Sequence, residues 1–203
     1  MPEVRDMALS DEKKMQIVDA AIAEFQEKGY AGASMDRISC RANVSKRTVY
    51  NHFESKDVLF RAIIQRLADR LNAALEIAYD PDLPIRPQLE RLAWAEGDLF
   101  TDPGFMKLAR MIMGETIRDP ELAADMSSRM TKTAVFEEFM SRANADGKLH
   151  APDPQLAAEQ FLALIKSQGF YPRIFSDAPV SREEMAGIVD RSVEMIMKSY
   201  GRE

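Results

Sequence analysis

Apolar residues return every three or four positions along most of the chain, and no stretch alternates in the two-residue rhythm of a half-buried strand. Ile17, Ala21 and Phe25 begin the pattern. A helix is predicted there from Ser10, a hydroxyl cap with Asp11 and Glu12 in the favourable first turn, to Gly29, which can end it in a left-handed conformation. Two short helices follow. The first spans 34–41, with Met35, Ile38 and Ala42 turned inward, and the second spans 46–53, capped by Ser45. From Ser55 onward Leu59, Ile63, Leu67, Leu71 and Leu75 form one stripe that runs to about Tyr79. At 1.5 Å per residue this is a rod of roughly 35 Å. Pro81, Pro84 and Pro87 break the pattern. Helical periodicity then resumes over 86–101, 104–118, 120–146, 153–171 and 181–200, the last opening on the capping box "SREE". The expected fold is all-α with about nine helices. It divides into a loose arm over 1–9, a small helical domain over 10–56 and a larger helical domain over 57–203.

Composition limits what such a chain can do. With 203 residues, 46% hydrophobic and 30% charged, it can bury a substantial core. Its net charge is −6, so attraction to a polyanion must be local. The single cysteine, Cys40, allows no intramolecular disulfide and suits a reducing compartment. The first thirty residues lack a signal-peptide pattern, and no apolar run approaches the roughly 20 residues needed to span a bilayer. A cytoplasmic protein with no membrane partner is expected.

Local charge changes the picture. In "SKRTVYNHFESK" (45–56), Lys46, Arg47, His52 and Lys56 crowd around Tyr50 and Asn51. From 37 to 56, Arg37, Arg41, Lys46, Arg47 and Lys56 face only Glu54, a local net charge of +4. The link "ANVS" joins the two short helices at the spacing of a helix-turn-helix, and Asn43 tolerates the left-handed conformation such a turn requires. At 100° per residue, Val49 and Phe53 face inward while Arg47, Thr48 and Asn51 face outward; Lys46 lies in the exposed first turn, and Tyr50 and His52 flank the outer face. Arginine pairs with guanine and asparagine with adenine in the major groove, whereas hydroxyls, imidazole and lysine hold phosphates.

The motif is specific as a combination. Ser34, then Ile38-Ser39-Cys40-Arg41-Ala42-Asn43-Val44-Ser45, then Thr48-Val49-Tyr50-Asn51-His52-Phe53-Glu54-Ser55-Lys56-Asp57-Val58-Leu59 resembles the DNA-binding domain of the TetR family of bacterial regulators. Ser39 replaces the usual alanine and Asn43 the usual glycine. The resemblance covers 10–59, about a quarter of the chain. It implies base contacts from Lys46, Arg47 and Asn51, and phosphate contacts from Ser34, Thr48, Tyr50, His52 and Lys56, with Tyr50 also able to touch a base and Ser45 counted among the DNA-binding residues. For Thr48 and His52 the bland alternative is a bond within the helix or a cap. The resemblance further implies a ligand-responsive repressor, a homodimer on a palindromic double-stranded operator, a small-molecule effector of apolar or amphipathic character, and no cofactor. "FLALIKSQGFYPRIF" is similar to the C-terminal module of the AefR-like branch.

For dimer contacts the last two helices offer Phe161, Leu164, Ile165, Val189, Val193, Ile196, Met197 and Tyr200, which fit a monomer core equally well. Nine of the thirteen methionines follow residue 100. Pocket candidates are Trp94 and Asp98 at i, i+4, Met106, Arg110, Met113, Phe136, Phe139, Met140 and Gln168, although methionines and aromatics at helical spacing usually belong to the core. An enzyme fits poorly. His52 and His150 lack the Glu-x-x-His spacing, Cys40 has no zinc-ligand neighbours, no Gly-x-Ser-x-Gly elbow exists, and Arg142 stands where a phosphate loop before Gly147-Lys148 needs glycine. A helical adaptor using the 59–75 stripe is the remaining class. Cys40 is expected to be a small buried hydrophobe, with redox sensing as the alternative.

Overall fold

The computed structural model describes residues 2–129, 132–176 and 178–202, with backbone alone for 2–9 and 132–133. Its helices are α1 (Pro2–Gly32), α2 (Met35–Arg41), α3 (Lys46–His52), α4 (Lys56–Ala74), α5 (Ile85–Thr101), α6 (Pro103–Thr116), α7 (Pro120–Arg129), α8 (Lys132–Ala145), α9 (Pro154–Gly169), α10 (Tyr171–Ile174) and α11 (Arg182–Tyr200). Among the described residues there is no strand, only a bridge between Leu149 and Gly201. Each of the nine expected stretches holds a helix, with 130–131 outside the described residues. The 120–146 stretch is described as α7 and α8, and α10 adds a single turn.

Two helix boundaries differ from expectation. α1 extends back to Pro2, so Ser10 lies inside it rather than capping it, and the break falls at Gly29 (φ 70°, ψ 167°). α4 stops at Ala74, making it about 28 Å long rather than 35. Beyond it, Tyr79 turns its ring against Phe139 of α8 (5.4 Å, edge-on) and donates to the Asp146 carboxylate at 2.6 Å. The described chain gathers into two compact units. Residues 1–67 with 111–129 form one compact unit, and 68–110 with 130–203 form the other.

The first unit is built on α1 and the start of α4. Phe25, Tyr30 and Phe60 stack edge-on or tilted within 5.6 Å of one another, over a floor of Ile17, Ala21, Ile38, Val49, Phe53, Leu59 and Ile63. α4 therefore belongs to this core as far as Leu67, and α7 joins it where Arg61 pairs with Asp125 at 3.5 Å. The Asp125 carboxyl is held below its ordinary value, first by the Arg129 side chain at 2.8 Å and against the opposing effect of burial.

In the second unit α5, α9 and α11 meet closely. A methyl group on Gly97 would stand 3.1 Å from Met185 Cγ and Cε. One on Gly169 would stand 3.2 Å from Met185 Sδ and Phe100 Cδ2. The wholly buried Met185 thus occupies the space that two missing side chains leave. Glu96, also fully buried, has no hydrogen bond to either carboxylate oxygen among the described residues; Lys166 Nζ lies 3.9 Å away. Burial pushes the Lys166 ammonium below its ordinary value, opposed by Glu96. Gln88 fixes the proline loop, donating to the carbonyls of Asp80 and Leu83 at 2.9 Å each and accepting from Asp80 N at 2.8 Å.

Candidate nucleic-acid interface

Local bonds set the helix-turn-helix. Ser34 caps α2 by accepting from Arg37 N at 3.3 Å, and Ser45 caps α3 by accepting from Thr48 N at 3.0 Å. Between them Asn43 takes φ 51°, the single positive φ at a non-glycine residue among those described. Val49 and Phe53 anchor α3 in the core, at 0% and 3% exposure. Arg47, Tyr50 and Asn51 point outward. None of the three makes a hydrogen bond or ion pair within the described residues, so their recognition groups are free.

The other expected contact residues are partly engaged inside the protein. The hydroxyls of Ser45 and Thr48 share a bond at 2.8 Å, which leaves Thr48 half-buried against its own cap. Among the described residues His52, half-buried at the end of α3, makes only a tilted ring contact with Phe53. Lys56 donates to the Tyr30 carbonyl at 2.8 Å, and its Nζ lies 4.4 Å from the Tyr30 ring centre. Lys46 Nζ contacts Asp36 Oδ2 at 2.5 Å. That bond to Asp36 raises the ammonium above its ordinary value.

The +4 count over 37–56 misses the acids brought in by folding. Arg37 Nε reaches Glu24 Oε1 at 2.5 Å, and a second guanidinium nitrogen donates to the Gly32 carbonyl. Arg41 pairs with Glu27 at 2.5 Å and with Glu24 at 3.5 Å. Glu24 is 1% exposed. Sequence reasoning missed it, although an acid on the mostly apolar face of α1, four positions before Lys28 and one before Phe25, was the available signal. Residues 10–56 hold eight Lys and Arg against seven Asp and Glu. Of the five cations first counted, Arg47 alone has no internal partner among the described residues. Cys40 lies exposed on α2, contrary to the expected buried role, because Ile38 and Ser39 take the inward positions.

The expected pocket residues fall in different environments. Trp94 and Asp98 instead hold one cation at the surface: the Arg182 guanidinium lies 4.6 Å over the Trp94 ring and 2.8 Å from Asp98 Oδ1. Gln168 is exposed and accepts from Arg191 at 3.0 Å. Arg110 donates to the carbonyls of Arg173 and Ser176. Met106, Phe136 and Met140 are wholly buried, and Met113 falls in the first unit. Phe139 does line an open cleft of about 500 Å³ in the second unit, together with Leu75, Glu76, Tyr79, Glu138 and Arg142. Among the described residues, no helix is long and apolar enough to cross a membrane.

Capped short helices around a left-handed asparagine, with a free Arg–Tyr–Asn face, define a helix-turn-helix DNA-binding regulator. Comparison with known proteins agrees. Residues 17–63 match the bacterial regulatory proteins of the tetR family, and residues 87–202 match the AefR-like transcriptional repressor C-terminal domain. The chain belongs to the TetR family of DNA-binding transcriptional regulators, which are not enzymes. The crystal structure of a TetR family regulator from Pseudomonas syringae pv. tomato is 39% identical, with a TM-score of 0.80 over 95% of this chain and 99% of that one. The HTH-type transcriptional activator FasR of Mycolicibacterium smegmatis is 29% identical over 85% of this chain and 77% of its own length. The Flavonoid-responsive Regulator FrrA is 25% identical, with a TM-score of 0.77 over 95% of this chain and 99% of that one.

Proposed function

We propose that this regulator is a cytoplasmic, ligand-responsive repressor. It acts as a homodimer and leaves a palindromic operator when a small apolar or amphipathic effector binds. The observation that carries the DNA reading is the unpartnered face of α3: Arg47 and Asn51 reach base edges, while Tyr50 reaches either a base or a phosphate. Ser34, Ser45, Thr48, His52 and Lys56 lie around that face and take phosphates, and so does Lys46, for which the family resemblance implied a base contact, because Asp36 holds its ammonium at the first turn of α3. The AefR-like repressor match over most of the second unit supports repression. The activator name of FasR favours activation as the second reading. Support for an effector comes from the cleft of about 500 Å³ and from the flavonoid response in the name of FrrA. A ligand preferring one arrangement of the dimer shifts its population by that difference in affinity, with α4, which contributes residues to both units, carrying the change.

Selection of duplexes from random DNA, followed by anisotropy titration of wild type and Arg47→Ala/Tyr50→Ala, tests this reading. The expected result is a palindrome with half-sites about one helical turn apart, bound tightly by wild type and at least tenfold more weakly by the double variant. Equal, weak, sequence-independent binding by both proteins overturns it. Transcription from the selected operator in vitro, with and without the regulator, separates repression from activation.

A further inference from the structure

The ion pairs around α2 and α3 fall into two kinds. Arg37 and Arg41 bind Glu24, which is buried, so those bonds fasten α2 to α1. Lys46 and Asp36 are different. Their side chains are 62% and 58% exposed, they meet at 2.5 Å, and neither fills core. Such a pair is screened by water and opens cheaply. It sits across the first turns of α2 and α3, one residue from the free Arg47. A carboxylate there occupies the Lys46 ammonium and repels a phosphate that approaches it.

We infer that Asp36 is a specificity-determining residue that competes with DNA phosphate for Lys46. This rests on the DNA-binding reading above. On DNA without the right bases, the only attraction is between charges, and Asp36 withholds one of the few cations available. On the operator, base contacts from Arg47 and Asn51 hold α3 in place long enough for Lys46 to exchange Asp36 for phosphate. Residues 10–56 hold eight cations against seven acids, so one withheld charge is a large part of the local attraction. Asp36 therefore lowers non-specific binding more than operator binding, and discrimination rises.

The test uses the full chain as wild type, Asp36→Asn, Lys46→Ala and the double variant. Anisotropy is measured on the selected operator and on a scrambled duplex of equal length, across a salt series. Asp36→Asn is expected to bind the scrambled duplex about fivefold more tightly, with a salt slope steeper by about one, and to bind the operator less than twofold more tightly. In the Lys46→Ala background, the Asp36 substitution is expected to change the scrambled-duplex affinity by less than about twofold, the part due to direct repulsion of phosphate. The inference is overturned by an unchanged affinity for the scrambled duplex or by an equal gain when Lys46 is absent. Asp36→Ser, which keeps a polar residue in the first turn of α2, and an unchanged thermal midpoint guard against misfolding. If both Asp36 variants bind more weakly, the carboxylate aids binding and the inference fails. Arg47→Ala on the same duplexes separates the two readings. If Arg47→Ala does not weaken operator binding, the recognition face itself is wrong; a normal Arg47 effect beside a silent Asp36 sinks only the present proposal.

Discussion

Each unit of the chain holds a lysine–carboxylate pair, and the two pairs have opposite physics. Lys46 and Asp36 lie 2.5 Å apart in water; Lys166 and Glu96 lie 3.9 Å apart, with the carboxylate wholly buried. The shorter contact is the one the fold needs less. In water an ion pair trades one set of good partners for another, so it opens and re-forms readily. In the core, the loss of either partner strands the other without solvation. Burial rather than distance decides which pair holds structure and which is free to respond to DNA.

The largest test of that contrast is Lys166→Met. It leaves Glu96 buried and uncompensated and is expected to destabilise the chain by about 3–5 kcal/mol in urea denaturation at fixed protein concentration. Replacing both residues, Glu96→Met with Lys166→Met, is expected to recover most of the loss. A single-variant cost below about 1 kcal/mol breaks the comparison. Glu24 is the intermediate case, buried itself but bonded to arginines at the surface. Glu24→Ala should cost about 2 kcal/mol, seen as a lower thermal midpoint and weaker operator binding as α2 loosens. A smaller change is expected for Ser45→Ala, which removes the cap of α3 for about 1 kcal/mol by the same measurement.

The smallest effect is with pH. Burial, and then the bond to Asp146, push the Tyr79 phenol well above its ordinary value. A folded value above the unfolded one means this contribution is complete below about pH 10 and is lost as pH rises beyond it. Tyr79→Phe is expected to flatten, not abolish, the alkaline fall in urea midpoint between about pH 9.5 and 11. Burial and Asp57 shift Tyr30 of the first unit the same way, so part of the slope persists. An identical slope in wild type and variant removes Tyr79 from the account.

The sequence made legible what local bonds determine. Ser34, Asn43 and Ser45 each act within a few residues, so the turn and both short helices followed from spacing alone, as did the inward Val49 and Phe53. Tertiary partners were not legible. Glu24 lies 13 residues before Arg37, and Arg182 lies 84 after Asp98, so neither clasp fits inside a charge window or a helical wheel. The leucine stripe also extended too far. Leu75 is buried as the period requires, yet the helix has already ended, because burial of one side chain does not fix the backbone around it. In the second unit, methionines and aromatics at helical spacing became core for the most part, as such residues usually do.

Met185, filling the space over Gly97 and Gly169, carries an evolutionary consequence. The three positions share one volume, so a change at one is felt at the other two. An alanine at Gly97 or Gly169 enters at 3.1–3.2 Å from the Met185 side chain, which must then shift by a few tenths of an ångström or give way to a shorter residue. Viable descendants of this sequence should therefore change these sites in compensating pairs, a correlated inheritance imposed by the thickness of one side chain.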